Sequence, residues 1–229
     1  MTEIEAIYAR HSVRRYSQEP VSKEALDALR VEMEKCNREG NLHIQLVTDE
    51  PKAFSGIMSY GSFSGVVNYF VMAGQKDDSL DGRVGYYGEK LVLLAQQLGL
   101  NTCWAGLTYR KVSGAYDLAK GEKIVCCIAL GHGITQGVQH KVKTPEDVSN
   151  VGALTPEWFR KGVEAALLAP TAVNQQKFRI EFHEGKGGAL PTVSLRVAGI
   201  SLAGYTKVDL GIVRRHFEIG AGPDNFVWA

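Results

Sequence analysis

No apolar run among the 229 residues approaches the roughly 18 that a membrane helix needs. A membrane partner is not expected. The start, MTEIEAIYAR, is acidic before it is mildly apolar, the reverse of a secretory signal. Charge of one sign is also missing, since the formal net charge is +1. Bulk attraction to nucleic acid or an acidic surface is therefore excluded, and any anion site has to be local. Cysteine is sparse: Cys36, Cys103, Cys126 and Cys127, with no CxxC. Two of the four sit together in an apolar run. They read as reduced, buried thiols of a cytoplasmic protein, not as disulfides or metal ligands. No Ser-His-Asp set and no zinc-type spacing is visible. What remains is ordinary for a globular chain, 45% hydrophobic and 22% charged, with 25 glycines clustered near segment ends.

Periodicity and capping signals give an alternation of helices and strands. Thr2 and Glu5 have capping-box spacing, so a first helix runs to about Ala9. Ser22 caps a second helix through Ala25, Leu26, Leu29 and Met33, ended by the stretch from Asn37 to Gly40. Leu42–Thr48 alternates as a half-buried strand, and Val66–Ala73 is a strongly apolar one. Between them, Glu50 to Phe63 reads as a short helix and a glycine-rich loop. The longest helical pattern is Ser79–Leu98, stopped by Gly99. Asn101–Ala105 is extended, a short helix is expected over Val112–Leu118, and Ile124–Leu130 is a fully apolar strand. Gly131 to Asn150 is polar and reads as a linker. Thr155 then caps a helix with Pro156 at its first position, running to Leu168. Strands follow at Phe178–His183 and Thr192–Ile200, and a last helix, Val208–Ile219, is closed by Gly220.

The second series repeats the first: helix, two strands, helix, and a short tail, Asn225–Trp228, that matches Thr102–Trp104. The expected organisation is an internal duplication. Residues 1–139 form the first repeat, 140–153 a linker and 154–229 a shorter second repeat, packed as one unit. α/β chains repeat helix–strand units anyway, so this pattern alone does not separate duplication from coincidence.

Two stretches carry candidate chemistry. Ala9–Tyr16 places Arg10, Ser12, Arg14 and Arg15 beside His11. Guanidinium forks match phosphate oxygens and a hydroxyl adds a neutral donor, although a solvated basic loop would have the same composition. Leu167–Phe178 follows a helix that Pro170 must stop, and it offers Thr171, Asn174, Gln175 and Gln176 in an irregular turn.

Together these stretches make the chain resemble the FMN-dependent nitroreductase family. Arg10-His11-Ser12-Val13-Arg14 is similar to that family's arginine motif, and Ala169-Pro170-Thr171-Ala172-Val173-Asn174-Gln175-Gln176 to its proline motif. Gly99 to Gly106 resembles the family's glycine–tryptophan segment, Leu130-Gly131-His132 its strand end, and Lys141 and Lys143 before Pro145 its closing basic pair. The proline motif is displaced. Glu32–Asn41 stands where it belongs in the first repeat, and no arginine motif precedes Thr155. Each half keeps what the other has lost, so the resemblance is to a single-chain, internally duplicated branch, a pseudo-dimer with one composite flavin site and a dead symmetry mate.

The resemblance implies an α+β fold, a mixed sheet flanked by helices, and an FMN enzyme that moves hydride from NAD(P)H to a nitroaromatic or quinone-like acceptor in ping-pong order, with no essential protein acid or base. It implies FMN phosphate on Arg10, Ser12, Lys141 and Lys143, with His11 also among the cofactor-binding residues, and Arg14 near the N1–C2=O end. It places N5 against a backbone N–H of Gly106 or Leu107, with Ala105 alongside. Pro170, Thr171, Ala172 and Asn174 would cover the ring and ribityl chain, and Gly61, Ser62 and Gly65 would approach the pyrimidine edge. The chain would then suffice as a monomer with a small-molecule partner. A flavin- or ligand-binding protein without turnover, or a flavin enzyme of other chemistry, stays open. His132 and His140 read as loop histidines. Tyr86, Tyr87 and Trp104 read as core, and Arg214-Arg215 as a solvated face.

Overall fold

The computed structural model describes residues 1–55, 63–201 and 203–229. Helix α1, Glu3–Ala9, starts at Thr2 with both halves of the capping box formed. Helix α2, Lys23–Gly40, is capped by Ser22, whose hydroxyl accepts from the Ala25 amide. Strands β1, Gln45–Val47, and β2, Asn68–Gln75, form an antiparallel hairpin-like pair. Helix α3, Leu80–Gln97, leads to β3, Asn101–Ala105, and then β4, Glu122–Gly131. The first sheet has the order β1-β2-β4-β3, antiparallel at every step.

Both faces of its centre are covered, which explains why β2 and β4 read as continuous apolar runs. Along β2, Phe70 and Met72 face α2 and α3, packing with Leu29, Leu91 and Ile128. Their neighbours Tyr69, Val71 and Ala73 face the other way, onto Tyr16, Phe54 and Ala129. This is the two-residue alternation of a pleated strand, buried on each side.

After the short α4, Pro145–Val148, the helix α5, Glu157–Leu167, leads to β5, Phe178–His183, and β6, Thr192–Val197. Helix α6, Thr206–Ala221, is followed by β7, Val227–Trp228. The second sheet has the order β5-β6-β7, antiparallel and then parallel. Its core is aromatic: Phe159, Phe178, Phe217 and Phe226 pack with Ile180 and Val193.

The two units meet along α3 and α6. These helices touch backbone to backbone at Gly85 and Gly211. A Cβ on Gly85 would lie 2.9 Å from the Val208 carbonyl carbon and 3.1 Å from the Gly211 Cα. A Cβ on Gly211 would lie 2.6 Å from the Tyr86 nitrogen. Only glycine on both sides allows this approach.

Several expectations are corrected. Val112–Leu118 forms turns, not a helix, with Gly114 at φ +80° in its middle. The segment after Gly131 is not structureless, since Thr144 caps α4 with a capping box of its own. Thr155 does not cap α5. Pro156 holds that position with no side-chain bond, and the Thr155 hydroxyl donates to the Gly152 carbonyl instead. Gly220 lies inside α6, close to Ala165 and Lys161, and the helix ends at Gly222 with φ +77°. Of the arginine pair on the last helix, Arg214 is exposed as expected and stacks on Trp228, but Arg215 is mostly buried, bonded to Glu3 and set over the Tyr86 ring. All four cysteines are free and buried.

Candidate active site

The chain leaving α1 runs beside the edge of the first sheet. Ser12 bridges Thr102 in parallel fashion, and the Val13 amide donates to the Thr102 carbonyl at 3.0 Å. In such an extended segment alternate residues share a side. Val13 turns inward and is buried, whereas Ser12 and Arg14 turn to the other side, into a pocket.

That pocket has a volume of about 470 Å³, within the usual range for small-molecule sites. Its floor and one wall come from the first unit, with Ser12, Arg14, Phe63 and Trp104 through Thr108. Its opposite wall comes from the second unit: Pro170 to Val173, then Ala203, Tyr205, Val208, Asp209 and Ile212. Eight expected site residues therefore meet there, namely Ser12, Arg14, Ala105, Gly106, Leu107, Pro170, Thr171 and Ala172.

Arg10, His11, Lys141, Lys143 and Asn174 do not line it. Arg10 is buried, and one end of its guanidinium donates to the Leu168 carbonyl at 3.3 Å, just beyond the C-terminus of α5. Its Nε is buried without an acceptor. Burial lowers its pKa, against the opposing pull of Glu89. His140 caps the neighbouring carbonyl of Leu167 at 3.1 Å. Burial lowers the pKa of His11 and of His140, and the Arg10 charge pushes both down further. The two rings are thus favoured in their neutral form beside the one guanidinium. Arg10 and His140 cap the carbonyl end of α5, where a cation such as Arg10 is favoured.

Lys141, Lys143 and Asn174 belong to a strap under the proline turn. Asn174 and Gln176 both donate to the Lys141 carbonyl, at 2.9 and 2.8 Å, and the Lys143 ammonium donates to the Gln176 carbonyl at 2.8 Å. The turn itself is wound left-handed at Val173, Asn174 and Gln176. Such a conformation is uncommon for any side chain and an outlier for a β-branched one.

Two residues that sequence reasoning missed hold this wall in place. Asp209, in the first turn of α6, accepts from the Ala172 amide at 2.9 Å and from the Gln175 side chain at 2.6 Å. Burial raises its pKa to about 6, and the two donors oppose that rise. Tyr205 donates to the Gly106 carbonyl at 2.9 Å. A buried polar residue amid Val208, Ile212 and Val213 was the available sign for Asp209. Nothing in the chain marked Tyr205. Trp104, read as packing, does line the pocket. Its indole donates to Glu89 at 3.0 Å, and Glu89 is paired at 2.8 Å with His216, both fully buried. Tyr86 and Tyr87 lie away from this pocket, lining a second cleft with Arg83, Arg214 and Trp228. Gly65 packs against the Tyr16 carbonyl and does not line the site. Gly61 and Ser62 lie outside the described residues, as does most of the stretch expected to hold a short helix before Phe63.

Comparisons with known proteins agree with this architecture. The profile of the family described as "Putative TM nitroreductase" matches residues 3–221, so the chain belongs to that nitroreductase family. The family is one of oxidoreductases. Among solved structures, a protein of Thermotoga maritima described as a "putative nitroreductase" superposes over 98% of this chain and 85% of its own, with 23% identity and a TM-score of 0.62. The NfrA1 nitroreductase of B. subtilis is 14% identical, covering 67% of this chain and 74% of its own, TM-score 0.53. NfrA2 of B. megaterium is 17% identical, covering 72% and 82%, TM-score 0.52. At these identities the likeness concerns the fold. No curated protein matches the chain. Among the described residues no helix is long and apolar enough to cross a membrane, and no group of side chains could hold a metal ion.

Proposed function

We propose that this nitroreductase is an FMN-dependent oxidoreductase that takes reducing equivalents from NADH or NADPH and passes them to a nitroaromatic or quinone-like acceptor, donor and acceptor using the site in turn. One observation carries the reading: the early arginine segment and the late proline turn form opposite walls of a single pocket.

The residues fit the group. Arg10, behind the pocket's lining, keeps a buried Nε with no acceptor among the described residues, a donor that a phosphate oxygen would take. Arg14 is exposed in the pocket with no side-chain partner among the described residues, free to face a developing negative charge. Ala105, Pro170, Ala172, Val208 and Ile212 give an apolar bed for a flat ring. FMN, when bound, supplies the hydride chemistry at N5. The chain's own part is to bind and to orient. Ser12 takes the phosphate end, with Arg10, His11 and the lysines of the strap behind it, outside the pocket's lining. Arg14 takes the N1–C2=O end, and the amide of Gly106 or Leu107 takes N5. Pro170, Thr171 and Ala172 cover the opposite side, with Asn174 behind them on the strap. The scheme gives no residue the role of acid or base. Four free, buried thiols suit a reducing compartment such as the cytoplasm.

An internal duplication accompanies this reading, residues 1–139 and 154–229 joined by 140–153 and sufficient as a monomer. Its support is topological. The series α2, β1, β2, α3, β3 and the series α5, β5, β6, α6, β7 follow the same order. Removing β4 from the first sheet would leave β3 beside β2 and parallel to it, as β7 lies beside β6. α3 and α6 then correspond, and they cross at Gly85 and Gly211.

The test is an absorption spectrum of the purified protein with FMN, then with NADPH, then with a quinone. The flavin band should appear, bleach and return. Protein that takes up no FMN removes the proposal. Bound FMN that neither NADH nor NADPH bleaches would leave a flavin-binding protein without turnover.

A further inference from the structure

Tyr205 stands at the entry to α6 with its backbone in the left-handed region, φ +60°. A tyrosine adopts this conformation only when its surroundings impose it, and such strain gathers at functional sites. Here it sets the ring beneath the turn that follows β3. A Cβ on Gly106 would lie 2.6 Å from the Tyr205 Cζ, so the ring occupies the place of a side chain at that position. The hydroxyl then donates to the Gly106 carbonyl at 2.9 Å.

That carbonyl shares a planar peptide with the Leu107 N–H. In a trans peptide the two point in opposite directions, and no cis bond occurs among the described residues. Holding the oxygen therefore fixes the direction of the N–H. The Leu107 N–H has no acceptor among the described residues, and both Gly106 and Leu107 line the pocket. A donor fixed in advance needs no reorganisation when its acceptor arrives, and this is where a preset dipole is most effective.

We infer that Tyr205 is a positioning residue: by pinning the Gly106 carbonyl it aims the Leu107 N–H at N5 of the flavin. The inference rests on the FMN reading above and chooses Leu107 over Gly106 as the donor. It also assigns the second unit a direct hand in tuning a cofactor edge that the first unit holds.

The test uses the full chain loaded with FMN and the variant Tyr205→Phe, which keeps the ring and removes only the hydroxyl. The melting temperature and FMN affinity should change little. The N5 resonance of nitrogen-labelled FMN should move, and single-turnover reduction by NADPH should slow by about 3- to 10-fold, the size of one neutral hydrogen bond. An N5 resonance and a reduction rate equal to wild type would overturn the inference while leaving the FMN reading intact. Loss of FMN affinity in step with melting temperature, at an unmoved N5 resonance, would also overturn it, making Tyr205 a packing residue. Wild-type protein that takes up no FMN would end both, and that is seen before any variant is made.

Discussion

Gly211→Ala isolates the contact on which both units depend. The added methyl would sit 2.6 Å from the Tyr86 nitrogen and closer still to the Gly82 oxygen, against ordinary contact beyond 3.4 Å. Neither neighbour is a side chain that can swing away. Both are backbone of α3, so the helices must part by most of an ångström. Overpacking of this kind costs about 1–3 kcal/mol, occasionally more, and two facing backbones put this case at the upper end. Alanine returns about 0.5–1 kcal/mol through helix propensity. The net loss is on the order of 2 kcal/mol, which for a chain of this size lowers the melting temperature by roughly 4–8 °C. Because α6 carries Tyr205, Val208, Asp209 and Ile212 into the pocket, FMN affinity should fall with it. Gly82→Ala is the control on the same helix. Its methyl would meet nothing nearer than the Lys207 oxygen at 3.8 Å, so propensity should leave that variant unchanged or slightly more stable. Thermal melting of both, followed by far-ultraviolet circular dichroism, decides the matter. A Gly211→Ala protein that melts within 1 °C of wild type, or a Gly82→Ala protein that loses as much, would refute the argument.

Other outcomes follow from the site. Asp209 has its folded pKa raised to about 6 from 3.8. The folded state thus binds the proton more tightly, and the associated stability is full below the unfolded value and lost as pH rises through about 6. Relative to Asp209→Asn, wild type should lose on the order of 2 kcal/mol between pH 4 and pH 7; denaturant titrations that show a constant difference across that range would contradict this. Val173 is 84% exposed with φ +47°, so it pays backbone strain without burial in return. Val173→Asn should raise the melting temperature by about 2–8 °C by relieving roughly 1–2 kcal/mol, and calorimetry showing no rise would count against a strained turn. Arg10→Lys keeps the charge but loses the fork. FMN should bind at least about tenfold more weakly while riboflavin, which has no phosphate, binds as before; fluorescence titrations in which both weaken equally would place Arg10 elsewhere in the mechanism.

The parts of the fold that the sequence announced were those governed by neighbours in the chain. Thr2, Glu5 and Ser22 cap the helices they appeared to cap, and Phe178–His183 is a strand over its whole length. Ser12 and Arg14 reach the pocket because alternation in an extended segment is a local property. The errors lie where distant chain decides. Gly220 looked like a stop, but it is spaced for the close passage of α5 against α6. Arg215 looked solvated, yet α1 supplies Glu3 to bury it. Tyr205 and Asp209 enter the site only because α6 crosses α3 at two glycines, and no window of sequence around either residue contains that crossing. Lys141 and Lys143 show their charge in the sequence but not their place beside the proline turn. Their neighbours in space include Gln176, whose side chain and carbonyl bind the strap to the proline turn.

The two walls of the pocket hang on one covalent thread. A cavity assembled from separate molecules comes apart as the solution is thinned, because each half must find the other by diffusion. Here one wall meets the other at an effective concentration set by the tether and by the helix crossing, independent of how many copies share the tube. Specific activity should accordingly stay level on dilution far below micromolar protein, and the chain could be fused, immobilised or expressed at a trace without losing its geometry.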